Sequence, residues 1–123
     1  MNVLGRHLLL ELRECNPTYL DDLEYVKEVM VGAAQSVGAQ IIGESFHQFK
    51  PQGVTGVLAI AESHISIHTW PEWGYAAADI FTCGTTVDPQ EAAQILIEKL
   101  ESKRPYMTEI RRGVEVPNPV STP

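Results

Sequence analysis

Cysteine is scarce in this chain of 123 residues: there are two, Cys15 and Cys83. They form neither a C-x-x-C nor a zinc-ligand spacing, so no disulfide framework and no structural metal is expected, and both read as free thiols. Long apolar runs are missing too. The longest in the prospective core, Val57 to Ala61, falls far short of the roughly 20 residues that cross a bilayer. Leu8 to Leu10, followed by Glu11, is too short for the apolar core of a signal peptide. Positive charge is thin: 9 Lys and Arg stand against 16 Asp and Glu, a net charge of −7. The basic clusters Lys103–Arg104 and Arg111–Arg112 are small, which argues against nucleic-acid binding through basic patches. There is no repeat of solenoid length and no low-complexity tract. The expectation is a soluble, unexported, cytoplasmic chain with no nucleic-acid or membrane partner.

What is present is 44% hydrophobic residues, too many for a disordered chain. A single domain of this size buries roughly two-thirds of the surface its unfolded chain exposes. The acidic balance suits a cationic small substrate, and it equally suits ordinary solubility.

Val3 to Leu12 reads as a first strand. Asn16 is placed to cap a helix with Pro17 at its first position. Leu20, Leu23, Val26, Met30, Ala33, Ala34 and Val37 then recur at helical spacing over residues 18–37, with Gly38 at the C-terminal turn. Residues 39–49 look extended, and Pro51-Gln52-Gly53 forms a turn. Val54 to Thr69 is rich in β-branched residues and alternates from His64 onward. That alternation puts His64, Ser66, His68 and Trp70 on one face and Ile65, Ile67 and Thr69 on the other. Pro71 to Gly74 is a second turn, and Tyr75 to Cys83 another strand. Asp88, Pro89 and Glu91 open a helix that buries Ala92, Ile95, Leu96 and Leu100. Residues 104–112 return as a strand, and 114–123 form a tail after a single domain over 1–113. The order β, α, β, β, β, α, β predicts an α+β fold, a two-layer sandwich with an antiparallel-rich sheet and two helices on one face. The other sheet face is left for a partner, so a homodimer is expected.

The chemistry concentrates in Ala61-Glu62-Ser63-His64-Ile65-Ser66-Ile67-His68-Thr69-Trp70-Pro71-Glu72. Metal binding by His64 and His68 fails on geometry, because four residues along a strand separate them by roughly 13 Å. A Ser-His-Asp hydrolase built on Ser63 or Ser66, a histidine and Asp79 lacks a nucleophile elbow and a Gly-rich oxyanion segment. A purely structural alternative is a polar face of an edge strand turned to solvent.

The motifs Glu62-Ser63-His64, His68-Thr69-Trp70-Pro71-Glu72 and Phe81-Thr82-Cys83-Gly84 resemble the prokaryotic S-adenosylmethionine decarboxylase family. The likeness runs over about residues 3–112 and includes Leu4-Gly5-Arg6-His7, Phe46-His47, Phe49 and Gly53-Val54. It implies a proenzyme that cuts itself between Glu62 and Ser63 into chains 1–62 and 63–123. Ser63 then becomes a pyruvoyl group, whose carbonyl condenses with the substrate amine and takes up the electrons left by CO2. No separate cofactor and no metal is implied. In the same resemblance His68 is the base of self-processing, imidazole titrating near neutral pH. Cys83 is the proton donor in decarboxylation, a thiol being mostly protonated there. Thr55 stands where a serine that aids processing is expected, keeping the hydroxyl and adding a methyl. Phe49 and Trp70 match the aromatics that sandwich adenine, and Glu72 the acid that accepts from ribose hydroxyls. Cys15 has no such match and reads as structural.

The function implied is release of CO2 from S-adenosylmethionine, giving the aminopropyl donor for spermidine synthesis. Two alternatives stand beside it: a pyruvoyl-dependent arginine or ornithine decarboxylase on the same scaffold, and an unprocessed regulatory homologue, for which Thr55 is the sequence support. One point of geometry stays open. Alternation sets Ser63 and His68 on opposite faces, so a break at the cleavage site or a second chain must bring them together.

Overall fold

A computed structural model describes residues 3–84 and 87–116. Of the expected tail over 114–123, the part from 117 onward lies outside the described residues. The elements are β1 (Gly5–Arg13), α1 (Pro17–Leu20), α2 (Leu23–Ser36), β2 (Ile41–Gln48), β3 (Val54–Ile60), β4 (Ser63–Trp70), β5 (Tyr75–Cys83), α3 (Pro89–Lys99) and β6 (Arg104–Arg112). Six strands form one sheet in the order β2-β3-β4-β5-β1-β6, each neighbouring pair antiparallel. The helices cover one face, as expected. Leu8, Leu10, Leu12, Leu58, Ile60, Ile65, Ile67 and Ile80 from the strands meet Val26, Met30, Ala33, Ala34, Ala92, Leu96 and Leu100 from the helical side, all buried. Each large aliphatic side chain so buried contributes about 1.5–3 kcal/mol. None of the helices described is long and apolar enough to cross a membrane.

Two expectations about elements need correction. The helix drawn over 18–37 is broken at Asp21–Asp22 into α1 and α2. Asp22 leaves helical geometry and caps Tyr25 N–H with its own carboxylate, which starts a new helix in place of continuing the old one. The run Val54 to Thr69 is two strands, β3 and β4, joined by a tight turn at Ala61-Glu62, with Ile60 and Ser63 paired across it. That turn contains no Gly, Pro, Asn or Asp, so nothing in its composition marks it. Glu62 sits at φ +61, a left-handed conformation that costs a non-glycine residue roughly 1–2 kcal/mol.

The caps were legible. Asn16 accepts from Thr18 N–H ahead of Pro17, and Asp88 accepts from Gln90 N–H ahead of Pro89. The strand of polar residues is not an edge strand: β4 lies between β3 and β5. Its open face, away from the helices, continues across the sheet through Thr55, Val57, Leu9, Glu11, Asp79, Tyr106 and Ile110. Leu9, Val57, Tyr106 and Ile110 are exposed hydrophobics on that face.

Candidate active site

The sequence candidates separate into two groups at opposite ends of β4. At its C-terminal end, Phe49, Thr55, His68, Trp70 and Glu72 line one cavity of about 390 Å3, together with Gln52, Gly53 and Thr69. Thr55 and His68 are directly paired between β3 and β4, and Thr55 Oγ1 lies 3.0 Å from His68 Nδ1. Trp70 stacks on Tyr75, its cross-strand partner, with ring centroids 5.4 Å apart. The Tyr75 hydroxyl donates to Glu11 Oε2 at 2.6 Å. Burial, helped by that carboxylate, pushes the phenol up to about 12, so Tyr75 stays a neutral donor and holds the Trp70 plane in place.

The loop that carries Phe49 is tethered from below. Asp21 Oδ1, freed by the helix break, accepts from Gly53 N–H at 2.9 Å and from the Gln48 side-chain amide at 3.1 Å. Phe49 N–H donates to Gly53 O at 2.8 Å. Gly53 has φ +107, and a Cβ there would stand 3.1 Å from Thr69 O, so only glycine closes this turn. Buried Thr69 accepts from Val54 N–H and donates to Leu20 O, tying α1 to both strands. Asp21, Thr69 and Tyr75 were not singled out from the sequence. The Asp21-Asp22 pair inside a helical pattern was the available signal for the first.

At the N-terminal end of β4, Ser63 directly follows Glu62, and Ser63 Oγ accepts from Cys83 N–H at 3.2 Å. Its pairing with Ile60 turns Ser63 toward the helical layer, whereas His68 is on the open face. Five residues of strand separate the two, about 17 Å. Within one protomer the structure therefore brings Ser63 to the backbone N–H of Cys83, whose side chain alternates to the open face with Phe81 and Asp79, and His68 to Thr55, but does not bring Ser63 to His68. Cys15 is buried, and burial raises its thiol to about 11; it is inert packing.

A third cluster lies on the open face beside His64. Asp79 Oδ2 is 2.6 Å from His7 Nε2 and 2.8 Å from His64 Nε2, and the Ser66 hydroxyl donates to Asp79 Oδ1. Burial would raise the Asp79 carboxyl, but the hydrogen bonds from Ser66, His64 and His7 together hold it below its ordinary value. These contacts remove the hydrolase alternative: Ser66 is bonded to the carboxylate and not to an imidazole base, and Ser63, held by the Cys83 amide, faces away from His7 and His64. His7, His64 and Asp79 do bring three ligand-type atoms within 4.8 Å of one another. Yet the Arg112 guanidinium stands 3.2 Å from His7 Nδ1. A metal on Nε2 requires a proton on Nδ1 and an acceptor beyond it; here a donor occupies that place. Arg112 instead fixes His7 as an Nε2–H donor to Asp79. The group is a hydrogen-bond network that holds the start of β4 to β5 and β1.

Comparison with known proteins follows the same lines. Residues 6–113 match the family described as S-adenosylmethionine decarboxylase. An S-adenosylmethionine decarboxylase proenzyme of Thermodesulfovibrio yellowstonii is 54% identical over 114 residues, covering 93% of this chain and 84% of that protein. One from Clostridium tetani is 50% identical over 114 residues, covering 93% and 90%. The crystal structure of the adenosylmethionine decarboxylase from Aquifex aeolicus superposes with a TM-score of 0.88 at 36% identity, covering 96% of this chain and 99% of that one.

Proposed function

The chain belongs to the S-adenosylmethionine decarboxylase family, and on that premise we propose that it is a self-processing enzyme that releases CO2 from S-adenosylmethionine. The observation that carries the reading is the cavity in which Phe49, Trp70 and Glu72 meet His68 and Thr55, in a chain 54% identical to a proenzyme of that name.

The end of β4 fits a pyruvoyl group made from Ser63. Ser63 opens the strand behind a strained residue, Glu62, and its hydroxyl is already held by the Cys83 amide. Cleavage between Glu62 and Ser63 leaves chains 1–62 and 63–123, and the sheet keeps both, since β4 is paired on each side. A pyruvoyl carbonyl at residue 63 supplies the electron sink that decarboxylation needs. Cys83, whose backbone N–H holds that residue and whose thiol lies at the same end of the sheet, delivers a proton to the substrate carbon that loses CO2. Phe49 and Trp70 take the adenine between them, Tyr75 keeping Trp70 flat, and Glu72 accepts from the ribose hydroxyls. Thr55 orients the His68 ring, which moves the proton in processing. The product is an aminopropyl donor for spermidine synthesis.

The active unit is a homodimer. Two arguments support it: the open sheet face carries exposed Leu9, Val57, Tyr106 and Ile110, and His68 lies about 17 Å along the strand from its own Ser63. A second protomer packed on that face covers the apolar patch and sets one chain's nucleoside cavity against the Ser63–Cys83 end of the other chain's sheet.

Denaturing mass analysis of the purified protein tests the reading, with expected masses for 1–62 and for a pyruvoyl-capped 63–123. Ser63→Ala should remain one chain. CO2 release assayed in parallel on S-adenosylmethionine, arginine and ornithine should appear with the first alone. A single intact chain after long incubation, or activity on ornithine or arginine only, would overturn it.

A further inference from the structure

Thr82 precedes Cys83 on β5 and is 1% exposed. Its Oγ1 is the one buried side-chain nitrogen or oxygen among the described residues that has no hydrogen-bond partner. A buried hydroxyl left unpaired is destabilising, and one kept in a packed sheet calls for a reason. Its position supplies one. The β4–β5 ladder reaches the pair His64 and Phe81, so the next antiparallel step sets Ser63 across from Thr82. The faces agree: Ser63 pairs with buried Ile60, and Thr82 alternates with buried Ile80 and Ala78 on the helical side. Directly opposed residues on one face have Cβ atoms about 4.5–5.5 Å apart. The Cys83 N–H to Ser63 Oγ bond ties the two strands together at this end. On the other flank Thr82 faces Arg6 of β1, whose guanidinium is committed to Glu109.

We propose that the Thr82 hydroxyl is a hydrogen-bond donor held in reserve for self-cleavage, an inference that rests on the cleavage between Glu62 and Ser63 proposed above. In the first step Ser63 Oγ adds to the Glu62 carbonyl carbon. The new C–Oγ bond replaces the amide C–N bond, and the hydroxyl proton passes to the nitrogen that becomes the Ser63 α-amine. Between the two bonds the former carbonyl oxygen carries negative charge. The Cys83 amide holds the attacking oxygen, and Thr82 answers the charge that forms next to it. Because its hydroxyl has no partner among the described residues, no bond has to be given up before it serves the transition state.

The test follows freshly made chains from cell-free synthesis, with the rate of appearance of 63–123 read by denaturing mass spectrometry. Thr82→Val keeps the shape and removes the hydroxyl; cleavage should slow about 10- to 100-fold while the thermal midpoint holds or rises. Thr82→Ser keeps the hydroxyl and should cleave within a few-fold of the parent. Two outcomes overturn the proposal: Thr82→Val cleaving at the parental rate, or Thr82→Ser as slow as Thr82→Val. A parent chain that never splits would instead defeat the cleavage reading itself, so the two failures are separable.

Discussion

The two ends of β4 are built on different principles. At the Trp70 end, residues are locked: Trp70 stacks on Tyr75, Tyr75 is bonded to Glu11, and the Phe49 loop is pinned by Asp21. At the Ser63 end, groups are left poised: Glu62 is in a left-handed turn, and the Thr82 hydroxyl is unpaired among the described residues. Rigid placement suits recognition of a nucleoside, where lost alignment is lost affinity. Strain and unpaired donors suit a bond that must rearrange. Seven residues of strand separate the two ends, about 23 Å, longer than an adenosyl substrate. In the dimer proposed above, a site that needs both ends takes one from each of two chains.

Substitutions at the poised end should act on turnover, and those at the locked end on binding. The largest effect is expected for Cys83→Ala in processed enzyme: kcat falls about 100- to 1,000-fold with KM little changed, as steady-state CO2 release would show. Next comes Trp70→Ala, which removes a base-stacking surface worth about 1–3 kcal/mol and should raise KM about 10- to 100-fold with a smaller change in kcat. Should Cys83→Ala raise KM alone, or Trp70→Ala lower kcat alone, the division between the ends fails.

Asp79 supports the poised end from the open face. Its carboxyl is held below its ordinary value, so its share of stability is fully present above about pH 4, the range where an unfolded aspartate is ionised. That share is lost as pH falls through the lower, folded value. Asp79→Asn should cost about 1–3 kcal/mol near neutral pH, through donors left without an anionic acceptor, and should flatten the acid limb of a urea-melt series. The smallest effect belongs to the locked end. Asp21→Asn keeps the Oδ1 acceptor and should be nearly silent, whereas Asp21→Ala should raise KM a few-fold and destabilise by about 1 kcal/mol.

How much of this was legible depended on the range of the interaction. Helix caps, the sheet with helices on one face, and the two motif clusters are local patterns, and Asn16, Asp88 and the alternation of His64 to Trp70 spell them out. The β3–β4 hairpin was hidden because Ala61-Glu62 contains none of the usual turn residues. The break between α1 and α2 was hidden because Asp21-Asp22 sits inside an unbroken apolar period. The Asp79 network joins residues 72 apart in sequence, and the orphaned Thr82 hydroxyl exists only once the sheet is packed; neither has a local signature. The conflict between Ser63 and His68 on opposite faces was visible from alternation alone. The fold preserves that conflict within a protomer.

The shared site is the central claim, and subunit mixing tests it most directly. Cys83→Ala and Trp70→Ala chains, each giving little turnover alone when substrate is held far below the parental KM, are co-expressed with different tags. A shared site places both lesions in one of the two sites of a mixed dimer and neither in the other. The mixture should then recover about a quarter of parental activity, since half the dimers are mixed and each has one intact site. If each protomer instead holds a complete site of its own, every site in the mixture carries a lesion. Activity no greater than that of the two parents measured separately would contradict the account.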